Sequence, residues 1–177
     1  MPFSNPSLRK VVREWLEPRF DSDTLIVDIG AGAGAYYDLL GDKYRLIAVE
    51  AYEPYVRNYK LRSKYVGVYV QNALDVDDYI YEGKVVILGD VLEHFTPADA
   101  RKLLDKLKAA KPKAIVVIVP YLYEQGPDHP DVIKFGNPLE VHHQPDLTAE
   151  VVTERYPELK VIARNDQIGA YYWVPSE

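Results

Sequence analysis

Asp28-Ile29-Gly30-Ala31-Gly32-Ala33-Gly34 sets an acid directly ahead of three alternating glycines. Glycine takes positive φ without strain and lets the backbone approach a ligand closely. A helix that starts just beyond such a loop also presents unpaired N–H groups to anionic atoms. Glu50 follows in the interval expected of an acid that accepts hydrogen bonds from both hydroxyls of a ribose. Gly30, Gly32 and Ala35 also satisfy the dinucleotide fingerprint G-x-G-x-x-G/A, so the loop alone does not choose the nucleotide. Further on stand Asn72, Asp90, the pair Glu93-His94 and three more histidines, His129, His142 and His143.

These groups need a scaffold that brings them to one edge. Leu25-Ile26-Val27 ahead of Asp28 is a buried-strand run, and the spacing predicts a strand over 24–29 and a helix over 33–40. Further strands are expected at 45–50, 66–71, 85–89 and 114–119, with helices at 54–62 and from Pro97, capped by Thr96. A leading amphipathic helix over 7–17 has Ser7 as its N-cap. Residues 120–145, rich in Pro and His, show no convincing periodicity, and 147–156 reads as a helix. The last two strands, 160–164 and 169–174, are too close for a crossover and must pair antiparallel. Strands alternating with helices demand a parallel sheet, and ligands bind such sheets beyond the carboxyl ends of their strands. The first four strands end at Asp28, Glu50, Asn72 and Asp90.

The chain of 177 residues suits one domain with a full core. Its 47% hydrophobic and 27% charged content is that of a soluble globule, and no apolar run approaches a membrane span. Met1-Pro2-Phe3-Ser4 lacks the regions of a signal peptide, so a cytoplasmic address is the default expectation. The absence of Cys excludes disulfides and thiolate chemistry. A net charge of -6 disfavours nucleic acid as a partner, and Arg57, Lys60, Arg62 and Lys64 read as the solvated face of a helix.

In order and spacing these motifs resemble the class I S-adenosylmethionine-dependent methyltransferases, from Thr24 to Val174. The glycine loop matches the family's first motif, whose backbone holds the methionine part of the cofactor. Glu50 matches the ribose acid, with Ala51-Tyr52 beside the adenine and Asn72-Ala73-Leu74 at the adenine edge. Gly89-Asp90-Val91-Leu92-Glu93-His94-Phe95 is similar to the DVLEH form of the fourth motif, found in many small-molecule methyltransferases. The resemblance implies a doubly wound, Rossmann-like α/β domain over 1–177, with a helical extension at 1–23 and a substrate-side loop at 120–145. Its seven-stranded, mostly parallel sheet has the order 3-2-1-4-5-7-6, an antiparallel last strand and helices on both faces. It implies S-adenosylmethionine as cofactor, held by Asp28, Gly30, Ala31, Gly32, Gly34, Glu50, Ala51, Tyr52, Asn72, Ala73, Leu74, Asp90 and Val91.

The family usually has Asp where Asn72 stands, but Asn keeps a carbonyl acceptor for the adenine amino group. The Asn-Pro-Pro-aromatic signature of base and glutamine methylases is absent. Too little chain remains for a dehydrogenase's substrate domain, and the charge of Asp28 suits a sulfonium-amine better than a pyrophosphate. The expected acceptor is a small molecule or glycan, methylated on O or N. His94 is the candidate base, or else a residue that only packs its turn. Glu93, Tyr121, Asn137, Glu140, His142 and His143 are the candidate substrate residues; Gly136 to His142 resembles a GNxxExH stretch of one branch of the family. A metal at Glu140, His142 and His143 is disfavoured, because adjacent side chains on an extended chain point opposite ways. No metal is expected. A catalytically silent binding subunit with the same fold remains the alternative, ahead of an oxidoreductase or an RNA or protein methyltransferase.

Overall fold

In the computed structural model, which describes residues 8–176, β1 (Leu25–Ile29), β2 (Arg45–Val49) and β3 (Gly67–Tyr69) run parallel. Across the switch point, β4 (Val85–Gly89) and β5 (Ala114–Pro120) continue the parallel array. β7 (Ile168–Trp173) pairs antiparallel with β5, and β6 (Lys160–Arg164) closes the edge, giving the order β3-β2-β1-β4-β5-β7-β6. The turn between β6 and β7 is made by Asn165, whose Oδ1 accepts from Gln167 N (2.8 Å) and Ile168 N (3.1 Å). This is the sheet and strand order expected above.

Side-chain alternation along the strands explains the two helical layers. Val27, Ile29, Val86 and Leu88 face one core with Leu103, Leu104 and Leu107 of α5 (Pro97–Ala109) and Val152 of α7 (Ala149–Arg155). Ile26, Val85 and Ile87 face the other, with α1 (Arg9–Leu16) and α2 (Ala35–Leu40). β4 is buried along its whole length, as a strand covered on both faces must be. Thr96 caps α5, its hydroxyl accepting from Asp99 N at 3.2 Å, and Thr148 caps α7 in the same way. No described helix is long and apolar enough to cross a membrane.

Several boundaries differ from expectation. Ser7, the expected first N-cap, lies outside the described residues. The helix expected over 54–62 is broken into α3 (Glu53–Asn58) and α4 (Leu61–Lys64) by Lys60, which takes φ 54°. In a continuous helix Val56 and Leu61 would point about 140° apart; the break lets both enter one core. α2 starts at Ala35 and not at Ala33, because Gly34 takes φ 88°. The segment 120–145 contains α6 (Pro130–Phe135), capped by His129 and ended by Gly136 at φ 62°, then a 3-10 turn, Pro138–Glu140. Both pieces are too short to show a period.

Candidate active site

Ile29, Val49 and Gly89, the last residues of β1, β2 and β4, open onto a cavity of about 250 Å³. On its floor lies the glycine loop. Gly30 has φ 67°, and a Cβ there would sit 2.5 Å from Val91 Cγ2, so glycine is required on both counts. Glu50 stitches the loop to the second strand. Its Oε2 accepts from Gly32 N and its Oε1 from Tyr52 N, each at 2.8 Å. The carboxylate is buried, which raises its pKa, while the two N–H donors pull it back down.

Of the residues matched to cofactor motifs, Gly30, Ala31, Gly32, Glu50 and Ala51 line this cavity. So do Asn72, Ala73, Asp90 and Val91. Asn72 Oδ1 already accepts from Leu74 N at 3.0 Å, which spends one of its two lone pairs on the turn. Asp90 stands at φ 53°, a left-handed conformation that Asp tolerates better than most residues.

Four matched residues lie elsewhere. Asp28 shares the strand face of Ile26, so alternation aims it under the sheet, away from the cavity. There it is buried and its Oδ2 accepts from Tyr65 Oη at 2.6 Å. Burial lifts its pKa to about 7 against the opposing pull of the Tyr65 hydrogen bond. Tyr52 turns its hydroxyl to Gly136 O (2.8 Å), and Tyr55 takes its place in the cavity wall. Gly34 caps α2, and Leu74 contributes its N–H to the Asn72 turn.

Segment 120–145 forms the opposite wall through Asn137, Leu139, Glu140 and His143. Asn137 Oδ1 accepts from Leu139 N (3.0 Å), which starts the 3-10 turn. Glu140 is buried and braced: its Oε1 accepts from Tyr55 Oη at 3.0 Å, and Gln125 Nε2 donates to its carbonyl at 2.6 Å. Tyr36 is a cavity residue that the sequence reading missed. Its hydroxyl is buried and has no hydrogen-bond partner among the described residues. Its place one residue into the helix after the glycine loop was the available signal.

Beside this cavity lies a second, of about 390 Å³, lined by Glu93, Tyr121, Tyr123, Gln125 and His142. Asp90 and His94 belong to the walls of both. Tyr121 shares a hydroxyl contact with Tyr171. His94 Nδ1 lies 3.3 Å from Val141 O, and His142 Nδ1 lies 3.0 Å from Tyr123 O. A ring nitrogen facing a carbonyl must carry the proton, so each imidazole keeps Nε2 as a free lone pair. Burial, with the neighbouring His142, lowers the pKa of His94 to about 3, and burial lowers that of His142 to about 4. Burial pushes the Glu93 carboxyl well above its ordinary value, and the charge of Asp90 adds to the effect.

Solved structures superpose on this arrangement over nearly the whole chain. A proposed O-methyltransferase from Nostoc punctiforme matches with TM-score 0.59 at 18% identity, over 93% of this chain and 55% of its own. The magnesium protoporphyrin IX methyltransferase of Synechocystis PCC 6803, with bound SAM, matches with TM-score 0.65 at 12% identity, over 95% and 78%. The N-methyltransferase NodS of Bradyrhizobium japonicum matches with TM-score 0.61 at 13% identity, over 95% and 93%. The chain has the class I methyltransferase fold. No family model and no curated protein matches the sequence. The chain thus spans little more than half the length of the Nostoc protein, though nearly all that of NodS. Identities this low carry the methyltransferase fold and not the acceptor.

Proposed function

We propose that the protein transfers a methyl group from S-adenosylmethionine to a small-molecule or glycan acceptor. One observation carries this reading: Glu50, buried at the end of β2, holds the glycine loop by Gly32 N and faces the cavity. Each carboxylate oxygen accepts one N–H here and keeps a further lone pair, so the pair can take both ribose hydroxyls. Asn72 Oδ1 retains one lone pair for the adenine amino group. The Tyr36 hydroxyl is a donor for the cofactor's carboxylate. That the solved neighbours include methyltransferases with bound SAM supports the same cofactor.

The reaction is an in-line displacement. A lone pair of the acceptor's O or N attacks the methyl carbon, and the C–S bond breaks. Its electron pair stays on sulfur, leaving a neutral thioether. Alignment is the protein's main contribution and supplies about 7–11 kcal/mol of the barrier. Asn137, Glu140 and His143 wall the cavity opposite the loop, and Glu93, Tyr121 and His142 line the adjoining one, which supports an acceptor held between them. On this reading His94, neutral at the shared wall with Nε2 unprotonated, is the candidate to receive a proton from an acceptor hydroxyl, and its pKa of about 3 makes it a weak base suited to an acidic hydroxyl.

Calorimetry with S-adenosylmethionine and S-adenosylhomocysteine tests the cofactor. Methyl-labelled cofactor offered with a panel of phenols, hydroxy acids, amines and glycans tests the transfer. Saturable binding of both nucleotides and labelling of at least one acceptor class are expected. Binding of neither, or tighter binding of a nicotinamide dinucleotide, would refute the proposal; binding with no labelling would favour a silent binding subunit.

A further inference from the structure

We propose that Glu93, His94 and His142 form a binding site for a divalent transition-metal ion at the second cavity. One ligand atom from each, a carboxylate oxygen and two imidazole nitrogens, lies within 4.8 Å of the others. Ligands of a tetrahedral zinc at about 2.0–2.1 Å stand roughly 3.4 Å apart. Small side-chain rotations therefore close the triad on an ion. Two histidines and one carboxylate, with open positions left over, are the donor set of zinc hydrolases and of non-haem iron sites.

Two further observations point to a ligand. Glu93 is only 1% exposed, and neither of its carboxylate oxygens has a hydrogen-bond partner among the described residues. A buried carboxyl group in that condition is unfavourable unless something charged or donating meets it. Gln125, likewise 1% exposed, lines the same cavity with its Oε1 unsatisfied among the described residues. The imidazoles are oriented as ligands are. Each faces a backbone carbonyl with Nδ1, Val141 O for His94 and Tyr123 O for His142, which presents Nε2 as the metal-facing atom. Their rings meet edge to face at 4.7 Å.

The backbone holds the two halves of the triad together. His143 N and Gln144 N donate to Glu93 O at 2.8 and 3.2 Å, and His142 N donates to Gln125 O at 2.9 Å. Gln144 Nε2 adds bonds to Leu92 O and Phe95 O. His142 is thus fixed opposite the 3-10 turn Leu92–His94, while the neighbouring His143 faces the other cavity. His142 and His143 line different cavities, in keeping with the opposite directions expected of adjacent histidines; the proposed third ligand is Glu93 rather than Glu140, and the proposal departs from the expectation of no metal. On the reading given under Proposed function, an ion here would bind an acceptor oxygen and lower its pKa, and Nε2 of His94 would serve as ligand in place of base.

The test uses untagged protein without cofactor, so that it stands apart from any failure to bind S-adenosylmethionine. Zn2+, Co2+ and Mn2+ are titrated by calorimetry, and Co2+ also by its visible absorption. Expected are one equivalent bound, visible bands for nitrogen-ligated Co2+, and a raised melting temperature. Glu93→Gln, close to isosteric, and His142→Ala should each weaken binding at least tenfold, whereas His143→Ala should bind as the wild type does. The proposal fails if none of the three ions binds stoichiometrically, or if Glu93→Gln and His142→Ala both bind like the wild type.

Discussion

Replacing Glu50 by Gln removes charge with almost no change of shape. The carboxylate accepts from Gly32 N and Tyr52 N, both at 2.8 Å, in a buried setting. An amide offers one oxygen, so one of those N–H groups would meet an NH2 donor. A hydrogen bond to a charged group is worth about 1.5–3 kcal/mol, and stranding a buried donor costs a similar amount. The free protein should therefore lose about 1.5–3 kcal/mol, a visible fraction of the roughly 5–15 kcal/mol typical of a domain. On the cofactor side the variant loses one of two acceptors for the ribose, again about 1.5–3 kcal/mol, or roughly ten- to a hundredfold in affinity. Denaturant titration reads the first quantity and calorimetry with S-adenosylhomocysteine the second. Destabilisation with affinity changed less than threefold would mean that Glu50 only braces the loop. No change in either would refute the reasoning from burial itself.

Asp28, with its pKa lifted to about 7 from the ordinary 3.8, predicts a pH effect on stability. Its contribution is full below pH 4, where it is protonated folded or unfolded, and is lost as pH rises to about 7. Asp28→Asn should remove that slope, gaining on the order of 4 kcal/mol over the wild type between pH 4 and pH 8; parallel curves in chemical denaturation would contradict it. Gly30→Ala should disable cofactor binding through its φ of 67° and the 2.5 Å approach to Val91 Cγ2. Adding Val91→Ala should relieve the clash but leave about 1–2 kcal/mol of backbone strain, so full rescue in calorimetry would show the strain to be absent. Asn72→Asp keeps both the acceptor and the turn to Leu74 N, and should bind S-adenosylhomocysteine within a few-fold of the wild type. Asn72→Leu loses both and should bind about tenfold more weakly, for about 1.4 kcal/mol; equal affinities would take Asn72 out of the site.

What could be read in advance follows the range of the interactions involved. β4 and β5 are apolar runs buried on both faces, and β1 is one but for Asp28; that burial depends on the strand alone once a sheet exists. The antiparallel edge followed from chain length, since four residues cannot cross a sheet. Lys60 carries no local mark of a helix break; the turn there is set by the need to bury Val56 and Leu61 together. α6 did carry marks, Pro130 at its first turn and Gly136 after its end, but six residues are too few to show a period.

The same distinction separates the two cavities. The first is built where consecutive residues leave a strand, so Gly30, Glu50, Asn72 and Asp90 arrive at it by topology alone. Asp28 shows the limit of that rule, because one residue of alternation turns a strand-end acid toward Tyr65 and away from the first cavity. The second cavity joins residues 93–94 to residue 142 through backbone bonds to Glu93 O and Gln125 O, groups that every residue carries. No side-chain pattern announces such a pairing. Gln144 clamps it and is buried for that purpose, yet its amide reads in sequence as one more polar residue of a loop. The second cavity is therefore a property of how residues 120–145 fold back, and it became legible only through the atoms that this packing leaves unsatisfied.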